Sequence, residues 1–226
     1  MLLALMLAAF TFNTAENLPV GLLERVSESL DVPLPAVGLL VTGYGLTVAV
    51  ASVPLAHLVR KVPRRHVLSG VLAALVVSSA GAALASSYGQ LLAVRLLTAL
   101  AQALFWAVMG PVAVGLFAPK VRGRVVAALS LAGSLALVLG VPAGSLLGRT
   151  TTWQVPVAAL ALLGLVSLVT VSDLLPTSRP EEAAAYGTNP DRRAFRTVLT
   201  AGFLSSAGAF AGFTYLGVVA GRFEVQ

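Results

Sequence analysis

No cysteine occurs among the 226 residues. Disulfides, thiolate metal sites and cysteine nucleophiles are therefore excluded, and the redox compartment leaves no mark on the sequence. Charge is also scarce. Asp, Glu, Lys and Arg make up 11% of the chain, against about 25% in soluble domains. Histidine occurs twice, as His57 and His66, and neither has metal-ligand companions. There is no Gly-rich phosphate loop of the Walker type, and no Ser–His–Asp arrangement suggests itself. These absences argue against an enzyme, and no cofactor or metal is expected. Period-two alternation is missing as well, which disfavours a membrane β-barrel.

What is present is apolar. Hydrophobic residues make up 58% of the chain and the mean hydropathy is +0.92. That much apolar surface cannot hide in one compact core and calls for a lipid bilayer. Seven runs are long enough to be membrane helices: 1–23, 36–59, 66–86, 91–117, 125–148, 154–175 and 197–219. The expected fold is an all-α membrane protein. Residues 1–175 form a six-helix bundle, 176–196 a polar, proline-containing linker, and 197–226 a seventh transmembrane helix. Gly and Pro inside these runs are tolerated, because neighbouring helices satisfy the loosened backbone. The first run lacks the basic start and small-residue cleavage site of a signal peptide, so it is read as a spanning helix.

The net charge of +6 does not track nucleic acid, because the basic residues fall in short clusters between apolar runs. Loop 60–65 (RKVPRR) holds Arg60, Lys61, Arg64 and Arg65, and loop 118–124 holds Lys120, Arg122 and Arg124. The linker adds Arg179, Arg192, Arg193 and Arg196. The alternate loops hold only Arg25 and Arg149. This bias places the basic loops and the N-terminus in the cytoplasm, in a multi-pass protein of the cytoplasmic membrane. Loop 60–65 is first an orientation signal; a clamp between helix ends is a second reading.

Three features carry more than topology. In the first run, Asn13, Glu16, Asn17, Val20 and Glu24 share one helical face. A carboxylate inside a membrane is costly and should meet a cavity or a partner, so Glu16 is either functional or a packing device. In the fourth run, Arg95, Thr98, Gln102 and Trp106 form a second polar and aromatic stripe. Glu16 lies about 10 Å and Arg95 about 6 Å from the same membrane surface at 1.5 Å per residue. The two can pair, or Arg95 can snorkel to the headgroups. In the fifth run, Ala128, Ala132, Ala136, Gly140, Gly144 and Gly148 recur every four residues. Such a stripe admits a close helix crossing, and Pro142 within it should bend the helix.

The stretches ENLPVGLL (16–23), GLLVTGYGLTVAVASVPLA (38–56), LVRKVPRRHVL (58–68), SYGQLLAVRLLTALAQALFWAV (87–108) and GSLALVLGVPAGSLLG (133–148) resemble the major facilitator superfamily. They look most like the N-terminal half of its drug:proton antiporter branch, in the bacterial group of chloramphenicol, arabinose and purine efflux proteins. Departures are visible. Arg60 stands where the loop 2–3 motif has Asp, and Pro63 replaces the Gly before Arg64 and Arg65. The helix 4 motif keeps Arg95 but has Thr98 and Ala99 for Gln and Gly. The antiporter motif appears as Gly140-Val-Pro142-Ala-Gly144.

The resemblance implies a small-molecule efflux transporter coupled to protons by alternating access. Glu16 is then expected to carry the proton or meet substrate, with Asn13, Asn17, Gln102 and Trp106 in the cavity and Arg95 tuning Glu16. Gly140, Pro142, Gly144 and Gly148 are expected to form a tight helix interface. Family members have twelve helices in two halves, so the chain reads as a truncated N-terminal half that needs a C-terminal half or a homodimer. The rival readings are a non-transporting membrane scaffold or inert remnant, and a proton-coupled importer.

Overall fold

In a computed structural model the described residues are 1–175, 191, 193, 194, 196–205 and 208. Residues 1–175 belong to one compact unit and are taken by themselves. Their elements are α-helical with short 3-10 and π turns: α1 (Leu2–Asn17), a 3-10 turn (Leu18–Leu22), α2 (Leu23–Leu30), α3 (Leu34–Leu58), α4 (Arg64–Ala83) and α5 (Tyr88–Leu116). A further 3-10 turn (Pro119–Val121), α6 (Arg122–Leu135), a π turn (Ala136–Gly140), α7 (Val141–Thr150) and α8 (Gln154–Leu174) follow.

Among the described residues, five stretches are long and apolar enough to cross a membrane: Leu34–Leu58, Arg64–Ala83, Tyr88–Ala113, Pro119–Thr150 and Gln154–Leu174. They coincide with the second to sixth runs. The first run differs from expectation. It is not one helix, because α1 has 16 residues, about 24 Å at 1.5 Å per residue, against a hydrocarbon core of about 30 Å. A 3-10 turn then carries it onward, and the polar stretch between the first two runs begins as the helix α2. α2 ends at Asp31, whose left-handed backbone (φ 50°, ψ 49°) terminates it. The linker lies largely outside the described residues. Of the seventh run only 197–205 and 208 are described, and these are helical.

The helices follow from composition. Each long one is apolar on nearly all faces, as expected of a segment that meets lipid on one side and protein on the other. Leu39, Leu46, Val50, Val53, Leu131, Val138 and Leu162 are exposed. α4 packs on α5 and α8, α5 also packs on α3, and α1 lies against α8 and α6. Small polar pairs stitch these seams: Ser69 Oγ to Ser172 Oγ at 2.9 Å between α4 and α8, and Thr98 Oγ1 to Ser78 Oγ at 2.8 Å between α5 and α4.

The fifth run departs from a bent α-helix. Pro142 sits in the first turn of α7, and the distortion precedes it as the π turn Ala136–Gly140. Pro142 has no N–H to return to residue 138, so the ladder must reorganise just before it. The small-residue stripe does admit a close partner. Cβ atoms built on Gly140, Gly144 and Gly148 would strike Thr14 and Phe10, Leu18, and Leu22 respectively. Phe10, Thr14, Leu18 and Leu22 are themselves four apart, so one ridge of the first run lies in the groove of the fifth.

Candidate functional site

The site begins with a proline. In an α-helix the carbonyl of residue 15 would accept from the N–H of residue 19, but residue 19 is Pro and has none. The chain tightens into the 3-10 turn there, with Pro19 in its first two positions. Ala15 is buried, so its carbonyl, deprived of that helical donor, needs another. Arg95 of α5 supplies the donor. Its Nη1 donates to Ala15 O at 2.8 Å and its Nη2 to Glu16 O at 3.3 Å. The guanidinium also meets the negative end of the α1 dipole. It lies over the ring of Tyr44 from α3, 4.7 Å from the centroid. Arg95 is 7% exposed, so it does not snorkel.

Arg95 and Glu16 do meet, but the hydrogen bond between them is to the backbone. Arg95 bonds the backbone of that residue, and the carboxylate accepts from Gln102 Nε2. Gln102 is buried, one turn of α5 beyond Thr98, and its Oε1 has no hydrogen-bond partner. The α1–α5 seam is fixed behind this pair by Phe12 and Phe105, stacked at 4.3 Å and both fully buried. Phe105 in turn meets Trp106 edge-on at 5.2 Å, and Trp106 is 42% exposed. A carboxylate, an amide and an accessible indole ring thus occupy neighbouring turns of α1 and α5.

The two asparagines do not join this group by hydrogen bonds. Asn13 Nδ2 donates to Ala9 O at 2.8 Å and Asn17 Nδ2 to Asn13 O at 2.9 Å, both within the first run. Asn13 also lies beside Gly133 of α6. The single face expected over 13–24 is broken by the 3-10 turn, which leaves Glu24 exposed on α2. Of loop 60–65, Arg60 and Lys61 are exposed, while Arg64 and Arg65 begin α4 half-buried. Sequence reasoning missed Pro19 and Tyr44. Pro19 was readable, since it stands four residues after Ala15. Tyr44 is the only Phe, Tyr or Trp in α3, a weaker signal.

The described residues thus form an all-helical bundle with five stretches able to cross a membrane, a polar cluster between the first and fourth runs and a small-residue groove on the fifth. A model of the Major Facilitator Superfamily matches residues 3–226, and the chain belongs to that superfamily. It is 35% identical over 222 residues to the chloramphenicol efflux pump of Mycobacterium tuberculosis, covering 94% of this chain and 52% of that protein. It is 30% identical over 184 residues to a probable sugar efflux transporter of Pasteurella multocida, covering 81% and 46%. The chain therefore spans about half the length of the curated relatives it matches. Among solved structures it resembles a peptide transporter (TM-score 0.70, 16% identity, 93% of this chain and 44% of that one). It also resembles a proton:xylose symporter (TM-score 0.69, 14% identity, 80% and 47%). These two likenesses concern the fold alone.

Proposed function

We propose that the chain forms the N-terminal bundle of a proton-coupled efflux transporter, with Glu16 as the group that exchanges a proton and substrate occupying the space beside Gln102 and Trp106. The observation that carries this reading is the division of labour between Arg95 and Gln102. Arg95 is engaged by Ala15 O and Glu16 O. The Glu16 carboxylate is held by a neutral amide. An amide suits both protonation states. Its NH2 donates to a carboxylate, and its oxygen, here without a partner, accepts from a carboxylic O–H. Gln102 can therefore hold Glu16 before and after a proton is taken up.

Proton uptake from one side and release to the other needs the site to open alternately, which two bundles accomplish by rocking about a midplane cavity. Efflux as the direction, and a small organic molecule as the cargo, rest on the chloramphenicol and sugar efflux relatives. The test is pH-gradient-driven efflux from vesicles carrying a complete transporter built on this chain. Glu16→Gln is expected to abolish it, with folded protein near normal. Full proton-coupled activity in that variant would remove Glu16 from the role.

A further inference from the structure

Hydrogen bonding alone does not explain where the buried guanidinium of Arg95 lies. A carboxylate is a stronger acceptor for a guanidinium than a carbonyl, and it can take two parallel bonds. Glu16 carries both kinds of acceptor, yet Arg95 bonds its backbone oxygen and that of Ala15. The carboxylate is left to Gln102, a neutral donor. Only the Nη edge of the guanidinium is held, since Nε has no hydrogen-bond partner. Carbonyl oxygens accept over a broad range of directions, so bonds along one edge leave the plane free to roll about it. What bears on its face is the ring of Tyr44, with Arg95 Cζ 4.7 Å from the centroid.

Tyr44 is well placed to stop that roll. The buried residues of α3 are Val37, Leu40 and Tyr44, and past Tyr44 the helix has only partly buried or exposed side chains. About two turns before it, Tyr88 Oη donates to Ala36 O at 2.8 Å and ties α3 to the start of α5. The Tyr44 side chain is 3% exposed and its hydroxyl has no hydrogen-bond partner. What it offers Arg95 is therefore the ring face, whose quadrupole attracts a cation most when water is excluded. We propose that Tyr44 is a positioning residue of the site, whose ring holds the Arg95 guanidinium on the two backbone oxygens and off the Glu16 carboxylate. The consequence is chemical. A carboxylate clamped by a guanidinium is held in its charged form, and Glu16 so clamped would no longer exchange a proton. That consequence rests on the function proposed above, whereas the stacking does not.

Two measurements test it. The first melts the full chain in lipid nanodiscs as a cycle of Tyr44→Leu and Arg95→Met, where Met keeps an unbranched stem and carries no charge. Tyr44→Leu is expected to lower the melting temperature of the parent and to cost less in the Arg95→Met background. Equal loss in both backgrounds would make Tyr44 ordinary packing and overturn the proposal. Should a Leu or Met variant fail to fold, Tyr44→Phe and its difluoro and trifluoro forms decide, since fluorine weakens the negative ring face and barely alters its shape. Melting temperatures that fall in step with fluorination support the stacking, and a flat series overturns it. The second measurement is pH-gradient-driven efflux by the complete transporter, normalised to folded protein. Tyr44→Phe is expected to keep the parent rate, trifluorination to reduce it and Tyr44→Leu to lose most of it. Glu16→Gln, run alongside, separates the two readings. Efflux abolished by Glu16→Gln but intact in Tyr44→Leu would overturn the positioning role and leave Glu16 as the proton-exchanging group. Efflux intact in Glu16→Gln, with coupling still present in the melting cycle, would remove Glu16 from that role and leave the stacking standing.

Discussion

Replacing Glu16 by Gln preserves size and leaves Gln102 a partner, so it removes ionisation and little else. If Glu16 only pinned α1 to α5, Glu16→Gln would instead reduce the amount of folded protein and leave the activity of each surviving molecule unchanged. Arg95 behaves differently, because its bonds are to carbonyls. Arg95→Ala strands Ala15 O in the bundle interior and is expected to lower stability by about 1–3 kcal/mol. Pro19→Ala restores an N–H at the position that an unbroken helix would use. The double variant Arg95→Ala, Pro19→Ala should therefore melt at a higher temperature than Arg95→Ala alone, in a thermal unfolding series run as a double-mutant cycle. Equal melting of the two would show that the carbonyl is not what Arg95 serves. The need for a donor at Ala15 was legible in the sequence from Pro19. The identity of the donor was half legible: matched depth brought Arg95 to Glu16, but depth does not distinguish a carboxylate from the carbonyl of the same residue.

At the scale of elements, the long apolar runs were readable because lipid tolerates only segments that satisfy their own backbone, and such segments announce themselves by length. The breaks were harder. The 3-10 turn at Leu18–Leu22 and the helix α2 after it both fall where composition turns polar, and polarity alone suggests a loop. The groove of the fifth run was legible from its four-residue spacing, while the ridge that fills it was not, since Phe10, Thr14, Leu18 and Leu22 share no composition. Gly140 is the tightest of the three glycines in that groove. A Cβ there would meet the hydroxyl of Thr14, a β-branched residue with little rotamer freedom, and would stand 3.0 Å from Phe10 Cζ. Gly140→Leu is expected to destabilise the chain by about 1–3 kcal/mol through overpacking. Scanning fluorimetry in detergent reads this as a lowered melting temperature. An unchanged melting temperature would mean that the two segments separate without loss.

For the whole molecule, the arrangement of basic loops sets a direction that the helices alone do not. The bias of Arg60, Lys61, Arg64, Arg65, Lys120, Arg122 and Arg124 against Arg25 and Arg149 predicts that the α3–α4 and α5–α6 connections face the cytoplasm. The absence of native cysteine makes the check direct. Arg64→Cys is expected to resist an impermeant thiol reagent added to intact cells and to react after the membrane is opened. Labelling in intact cells would invert the topology.

The π turn at Ala136–Gly140 has a consequence for winding. A stripe repeating every four residues drifts by about 40° per step on a helix of 3.6 residues per turn. Over the five steps from Ala128 to Gly148 it would wander about halfway round the cylinder. A turn closed by i→i+5 bonds is underwound and gives back part of that drift, which keeps Gly144 and Gly148 aimed at Leu18 and Leu22. The turn is in effect a gear tooth between two periodicities. Pro142→Ala restores the missing N–H at constant length, and should let the segment rewind as regular α-helix and swing Gly144 and Gly148 away from Leu18 and Leu22. Disulfide trapping between cysteines placed at Gly144 and Leu18 is expected to succeed in the parent and fail in Pro142→Ala. Trapping that survives the substitution would show that the partner helix, not the turn, holds the register.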